Sequence, residues 1–220
     1  MGKGGGGGHT PVEAPESGRS KQQVKIVEII SEGEIKGLVD GVKSVYLDNT
    51  PIQAQDGSYN FNNIFAEGRI GSQDQDVMSG FNTSEKEVNV GVQVKHGVPI
   101  VRTVTDDKIS RLRFTLGVQA LSSVNDQGDT NPTSVQFRVT IGNKTPTIHI
   151  IDGKYSSQYL RAFIFDNLPA VPFTIKVERL TEDSKTTRLQ NNTIWASYTE
   201  IIDNQFAYPN TALAGVKFDY

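Results

Sequence analysis

The strongest constraint on this chain is an alternation of apolar and polar residues with a period of two. Leu112, Phe114, Leu116 and Val118 alternate with Arg111, Arg113, Thr115 and Gly117, the pattern of a strand with one face buried and one wet. Val135, Phe137, Val139 and Ile141 repeat it against Gln136, Arg138, Thr140 and Gly142. Phe173, Ile175 and Val177 do so against Thr174, Lys176 and Glu178. Further strands are expected at Val42–Leu47, Pro99–Thr105, Thr147–Ile151 and Asn192–Ile202. Asp-Gly pairs at 40–41, 56–57 and 152–153, Gly-Asn at 142–143 and Asn-Leu-Pro at 167–169 supply the turns between them. The β-branched run Val24–Ile30 fits a strand better than a short helix. Ser157–Phe165 fits two descriptions: a short helix, with Tyr159/Phe163 and Leu160/Ile164 four apart, or a strand buried on both faces. The pattern predicts a mainly β chain: two β-sandwich or barrel-like modules with long polar loops, preceded by a disordered Gly-rich arm.

Six of the 21 glycines lie within the first eight residues. Glycine carries a large ordering cost, and little before Lys21 is apolar enough to offset it. Residues 1–22 are therefore expected to form a flexible arm, either idle or ordered against a neighbouring subunit. A first β module is expected at 23–97, where isolated anchors such as Phe61, Phe65 and Phe81 interrupt polar loops. A second, inserted β-sandwich module is expected at 98–208, with 209–220 a strand returning to the first.

The search for chemistry excludes more than it finds. Cysteine is absent, and the three histidines, His9, His96 and His149, have no metal-ligand spacing. Asp126–Asn131 fails as a calcium loop, because Gly128 and Phe137 stand where oxygen ligands are required. The acid pairs Asp106-Asp107 and Glu182-Asp183 sit beside turn residues, where carboxylates are solvated. Trp195, Tyr198, Tyr155 and Tyr159 suit a sheet core or protein interface better than a sugar-stacking platform. A net charge of -3 among 220 residues gives no basic field for a phosphate backbone. No apolar run is long enough for a spanning helix or a secretory signal. The residues lead to a non-enzymatic, protein-contacting β module that needs no cofactor and no metal.

Ordered motifs carry the reading further. Met1-Gly2-Lys3-Gly4 and Gly8-His9-Thr10-Pro11-Val12-Glu13-Ala14 are followed by Ile30-Ser31-Glu32-Gly33-Glu34-Ile35-Lys36-Gly37-Leu38-Val39-Asp40-Gly41. Lys43–Pro51, Pro99–Thr103, Ile109–Leu121 and Gly128-Asp129-Thr130-Asn131-Pro132 continue the series. Ser157–Leu160, Asn167-Leu168-Pro169, Ser197–Asp203 and Tyr208–Leu213 complete it. In this order the chain resembles the amino-terminal part of the tail-tip host-specificity (tip attachment) proteins of lambda-like siphophages.

That resemblance implies a virion protein at the distal tail tip, assembled in the bacterial cytoplasm as part of a central hub. It implies a homo-oligomer, a trimer, contacting other tail tip and tail tube proteins and the tape measure protein. No specific nucleic acid is implied, although DNA would pass through the hub. An outer-membrane receptor would be read through regions absent here. Candidate protein-interface residues are Gly8, His9, Thr10 and Pro11 in the arm, Arg111 and Arg113 on an alternating strand, and Tyr198 and Glu200. A carbohydrate-binding adhesin module is the alternative, and a tail-associated hydrolase would require facing acids in a cleft.

Overall fold

The computed structural model describes residues 9–18, 23–78, 80–204 and 206–219. The glycine run at 1–8, and with it Gly8, lies outside them. Along the chain come β1 (Gln23–Glu32), a 3-10 turn at Gly41–Ser44, β2 (Tyr46–Leu47), β3 (Thr50–Pro51), β4 (Ile64–Ile70) and β5 (Thr83–Val94). They are followed by β6 (Ile100–Val104), β7 (Arg111–Val118), β8 (Ser122–Val124), β9 (Thr130–Asn131), β10 (Thr133–Ile141) and β11 (Thr147–Gly153). The series closes with β12 (Tyr159–Phe165), β13 (Phe173–Arg179), β14 (Leu189–Gln190), β15 (Thr193–Asp203) and β16 (Thr211–Asp219). The chain divides into two compact units, Met1–Arg19 with Glu85–Ile202, and Ser20–Ser84 with Asp203–Tyr220. The sequence expectation drew the second module at 98–208 and counted the arm apart from it.

The first unit is an antiparallel sandwich. One sheet runs β11-β10-β13-β6 and the other β12-β7-β15-β5. Leu112, Phe114, Leu116 and Val118 from one sheet and Val135, Phe137, Val139, Ile175 and Val177 from the other share one core. These are the apolar positions of the period-two strands, turned inward by the pleat. Trp195 is fully buried among them and stacks on Phe114 with ring centroids 5.6 Å apart. The register of β15 shifts between Trp195 and Ser197, a bulge spanned by the Trp195 indole N–H donating to Ser197 O at 2.9 Å. Gly117 pairs with Leu160, and a Cβ there would stand 2.2 Å from Tyr159 O, so glycine permits the close approach of β7 to β12.

Within Ser157–Phe165 the structure has a strand at Tyr159–Phe165, at a sheet edge with Leu160 and Ile164 exposed, rather than a helix or a strand buried on both faces. Tyr159–Phe165 pair with Val118–Leu112 along their whole length, and β-branched and aromatic side chains suit that pairing better than a lone helical turn. A small third sheet, β14-β8-β9, completes the unit.

The second unit is built on a three-stranded sheet, β1-β16-β4, with β16 in the middle. Met78, Phe81 and Leu213 form its buried cluster. Gln75 ties its loops: Nε2 donates to the carbonyls of Ala207 and Tyr208 at 2.8 and 2.7 Å, and Oε1 accepts from Gly71 N–H at 2.8 Å. Val42–Leu47, expected as a strand, is strand only at Tyr46–Leu47. The preceding residues tighten into the 3-10 turn because Gly41 takes a positive φ of 57° and Asp40 N–H donates to Ser44 Oγ at 2.8 Å. This local hydrogen bonding outweighs the β propensity of the valines. Among the described residues no sheet closes into a barrel.

Candidate subunit-contact surfaces

Residues 9–18 belong to the expected arm, yet they run along the first unit. Glu13 forms a parallel bridge with Thr130, so the segment extends the outer edge of β9. Ala14 N–H donates to Thr130 O at 2.9 Å, and Thr130 N–H donates to Val12 O at 2.9 Å. Asp129 receives the Val12 N–H at 2.7 Å, and the same Oδ1 lies 2.6 Å from His9 Nε2. The Val12 amide, Asn125 and His9, in that order, hold the Asp129 carboxyl at about 2, below its ordinary value.

Lys154 anchors the other end. Its side chain is 4% exposed, and its ammonium meets Glu13 Oε1 at 2.6 Å and Glu16 Oε1 at 2.7 Å. The hydrogen bonds that its ammonium donates to Glu13 and Glu16 raise the lysine's pKa. Lys154, then the Ser156 hydroxyl and amide, lower the Glu16 carboxyl to about 2. Ser17 N–H donates to Lys154 O at 2.9 Å, and Lys154 N–H returns a bond to Ser17 Oγ at 3.1 Å. Thr10 and Pro11 are exposed, and the Pro11 ring lies over Gly128. Two of the four arm candidates, His9 and Pro11, are thus brought against the β8–β9 region of their own chain, and Thr10 between them is exposed.

The strand candidates separate. Arg113 forks onto Glu85, with NH2 2.6 Å from Oε2 and NH1 3.3 Å from Oε1. NH2 also lies 3.4 Å from Thr199 Oγ1, forming a polar ladder across β7, β15 and β5. Arg111 is half-buried at the start of β7. Tyr198 and Glu200, singled out as interface residues, are each 5% exposed. Tyr198 belongs to the core beside Trp195, and Glu200 accepts from Lys86 Nζ at 3.0 Å. The bulge shifts the alternation by one residue, so Tyr198 and Glu200 stand beside the core positions Phe114 and Leu112 while Thr199 stays beside Arg113, and the contacts these two make are internal.

The aromatic set weighed as a sugar platform is also internal: Trp195, Tyr155 and Tyr198 are buried, and Tyr155 stacks on Tyr159 at 4.1 Å. Burial lowers the pKa of His149, whose ring packs against Phe163 at 4.4 Å. No group of three or more His, Asp or Glu among the described residues is arranged to hold a metal. Sequence reasoning missed Lys154 and Arg179. The latter is buried, donating to Thr181 O at 2.8 Å and Glu182 O at 2.9 Å while pairing with Asp183 at 2.8 Å. Asp152-Gly153, expected as a turn, instead ends β11, paired with Ser134 and Thr133, and Lys154 follows it.

Comparison with known proteins gives this arrangement a lineage. Residues 84–204 match the family model described as tip attachment protein J, FNIII-A domain. The tip attachment protein J of Escherichia phage SECphi4 is 37% identical over 99% of this chain and 20% of its own length. That of Escherichia phage SECphi27 is 31% identical over 96% of this chain and 18% of its own. The chain therefore spans about a fifth of the relatives it matches. Among solved structures, the infectious bursal disease virus VP2 subviral particle covers 90% of this chain and 56% of its own at 13% identity. Its TM-score is 0.29, too loose to bear on the fold. The family match takes in both four-stranded sheets of the sandwich and over half the sequence, and the chain belongs to the tip attachment protein J family.

Proposed function

We propose that this chain is a structural part of a phage tail tip, where it acts in assembly rather than catalysis. The observation that carries the reading is the collinear similarity to tip attachment proteins along 99% of the chain. The geometry accords with it. The sandwich spends its aromatic residues on its own core, and its outward side chains form ion-paired ladders across strands. Such rigid modules offer shape and strand edges to neighbours.

On this reading the chain is the amino-terminal part of a hub protein that self-associates, as a trimer, at the distal end of the tail. It contacts tail tube and tape measure proteins there, and is assembled in the bacterial cytoplasm. The much longer remainder seen in the relatives would read the receptor, with this part positioning it for attachment and DNA entry.

Immunogold electron microscopy with antibody to this chain, on intact and dissociated tails of the source phage, tests the assignment. Gold confined to the distal tip is the expected result. Unlabelled tips in both preparations would overturn it.

A further inference from the structure

The strip beneath residues 9–18 has the features of a built peptide groove. Two glycines of the sandwich make room for the segment. A Cβ on Gly153 would meet Ser17 Cβ at 2.7 Å, and one on Gly128 would meet Pro11 Cγ at 3.0 Å. The open edge of β9 supplies backbone pairing through Thr130. Both carboxylates facing the buried Lys154 ammonium come from the segment, from Glu13 and Glu16. Burying a lysine side chain to 4% exposure is costly without a paired anion, so the groove is matched to an acidic occupant.

The occupant is held like a ligand. Its seat lies 116 to 141 residues away in the sequence. None of its side chains enters the hydrophobic core, and Val12 is 62% exposed. It can therefore leave without opening the sandwich. The strand that follows it in the chain, β1, belongs to the other unit.

We propose that this groove is a strand-exchange site, which takes the same extended segment, with glutamates three residues apart, from a second copy of the chain. The contacts are identical whether the segment arrives from its own chain or another. Which one occupies the groove is then set by effective concentration, which an assembly holding copies side by side raises. The choice of occupant rests on the proposed self-assembly; the groove itself does not.

The chain contains no cysteine, so engineered thiols report cleanly. Bridged neighbours such as Glu13 and Thr130 lie about 5 Å apart at Cα, within disulfide reach. E13C and T130C variants of this 220-residue chain, mixed at about millimolar concentration and oxidised, should give a disulfide-linked heterodimer. The yield should be at least ten-fold above that of E13C mixed with T145C. Adding Gly153→Val to the T130C chain, which fills the seat of Ser17, should return the yield to the control level. The double variant E13C/T130C calibrates the geometry by closing within one chain. Closure there with no heterodimer from the mixture would overturn exchange, and failure of closure would overturn the groove. So would a yield indifferent to Gly153→Val. Tip labelling without cross-linking would discard the exchange and leave the tail-tip reading standing.

Discussion

The two units use the same antiparallel pairing and reach different degrees of closure. In the sandwich, two sheets face each other and eighteen buried apolar residues form one cluster. In the β1-β16-β4 unit the buried cluster has three members among the described residues, while Ile26, Ile29, Ile30, Phe65 and Ile70 remain exposed, Ile29 at 71%. Both units pair their strands antiparallel, so pairing does not distinguish them. What differs is whether each strand's apolar face meets another sheet. Burial rather than hydrogen bonding supplies most of a fold's stabilisation, so the sandwich should hold on its own while the smaller unit depends on its loops and on whatever covers its sheet.

The largest test of that contrast is Phe114→Ala. Removing a fully buried ring that stacks on Trp195 should cost the sandwich about 3–5 kcal/mol. Trp195 is the chain's single tryptophan, so its fluorescence in a denaturant titration follows the sandwich specifically. A loss below about 1 kcal/mol would mean that the core relaxes around the cavity.

Gln75→Leu probes the opposite pole. It strips hydrogen-bond partners from Gly71 N–H and from the carbonyls of Ala207 and Tyr208. About 1–3 kcal/mol should be lost from the smaller unit. Amide exchange should quicken in β16 while Trp195 fluorescence keeps its midpoint. Loss in both units together would show that they unfold as one.

Glycine substitutions sharpen the comparison further. At Gly117 a new Cβ meets the backbone oxygen of Tyr159, whereas at Gly215 it meets the flexible tip of Met78 at 2.3 Å. Gly117→Ala should destabilise by about 1–3 kcal/mol, and Gly215→Ala by less, in parallel thermal melts. Equal effects would show that β7 and β12 can move apart.

The edge-bound segment should respond to acid before the sandwich does. Glu16 and Asp129 are held at about 2, below their unfolded values near 4. Their contribution is therefore complete above about pH 4 and fades as pH falls toward 2. Protection of the Ala14 and Thr130 amides, followed by NMR hydrogen exchange, should drop across that window while β10 amides stay protected. Unchanged protection at pH 2 would show that backbone pairing alone holds the segment.

The smallest effect belongs to Arg113→Met. Its pair with Glu85 is partly exposed, with 31% and 40% of the side chains accessible, and should contribute about 0.2–1 kcal/mol in a double-mutant cycle.

The sandwich was legible because its strands obey one rule over their whole length. Positions 112, 114, 116 and 118, and 135, 137, 139 and 141, are all buried. Where local geometry breaks the rule, the sequence says less. Alternation does not reveal the bulge after Trp195, so Tyr198 and Glu200 looked available for outside contacts. Lys154 was missed because its anionic partners lie 138 or more residues away, and a buried cation is recognisable only through its partners. The turn at Gly41–Ser44 was obscured by β-branched residues whose propensity lost to a serine hydroxyl.

The central place of β16 also orders events during synthesis. Neither β1 nor β4 pairs with the other; both pair with β16. At ribosomal rates of about 5–20 residues per second, β1 waits roughly 10–40 s for its partner. The sandwich strands have all been made by then. Emergence of the nascent chain thus imposes a schedule: the self-sufficient half matures first, and the apolar strands left waiting are where a chaperone would be needed.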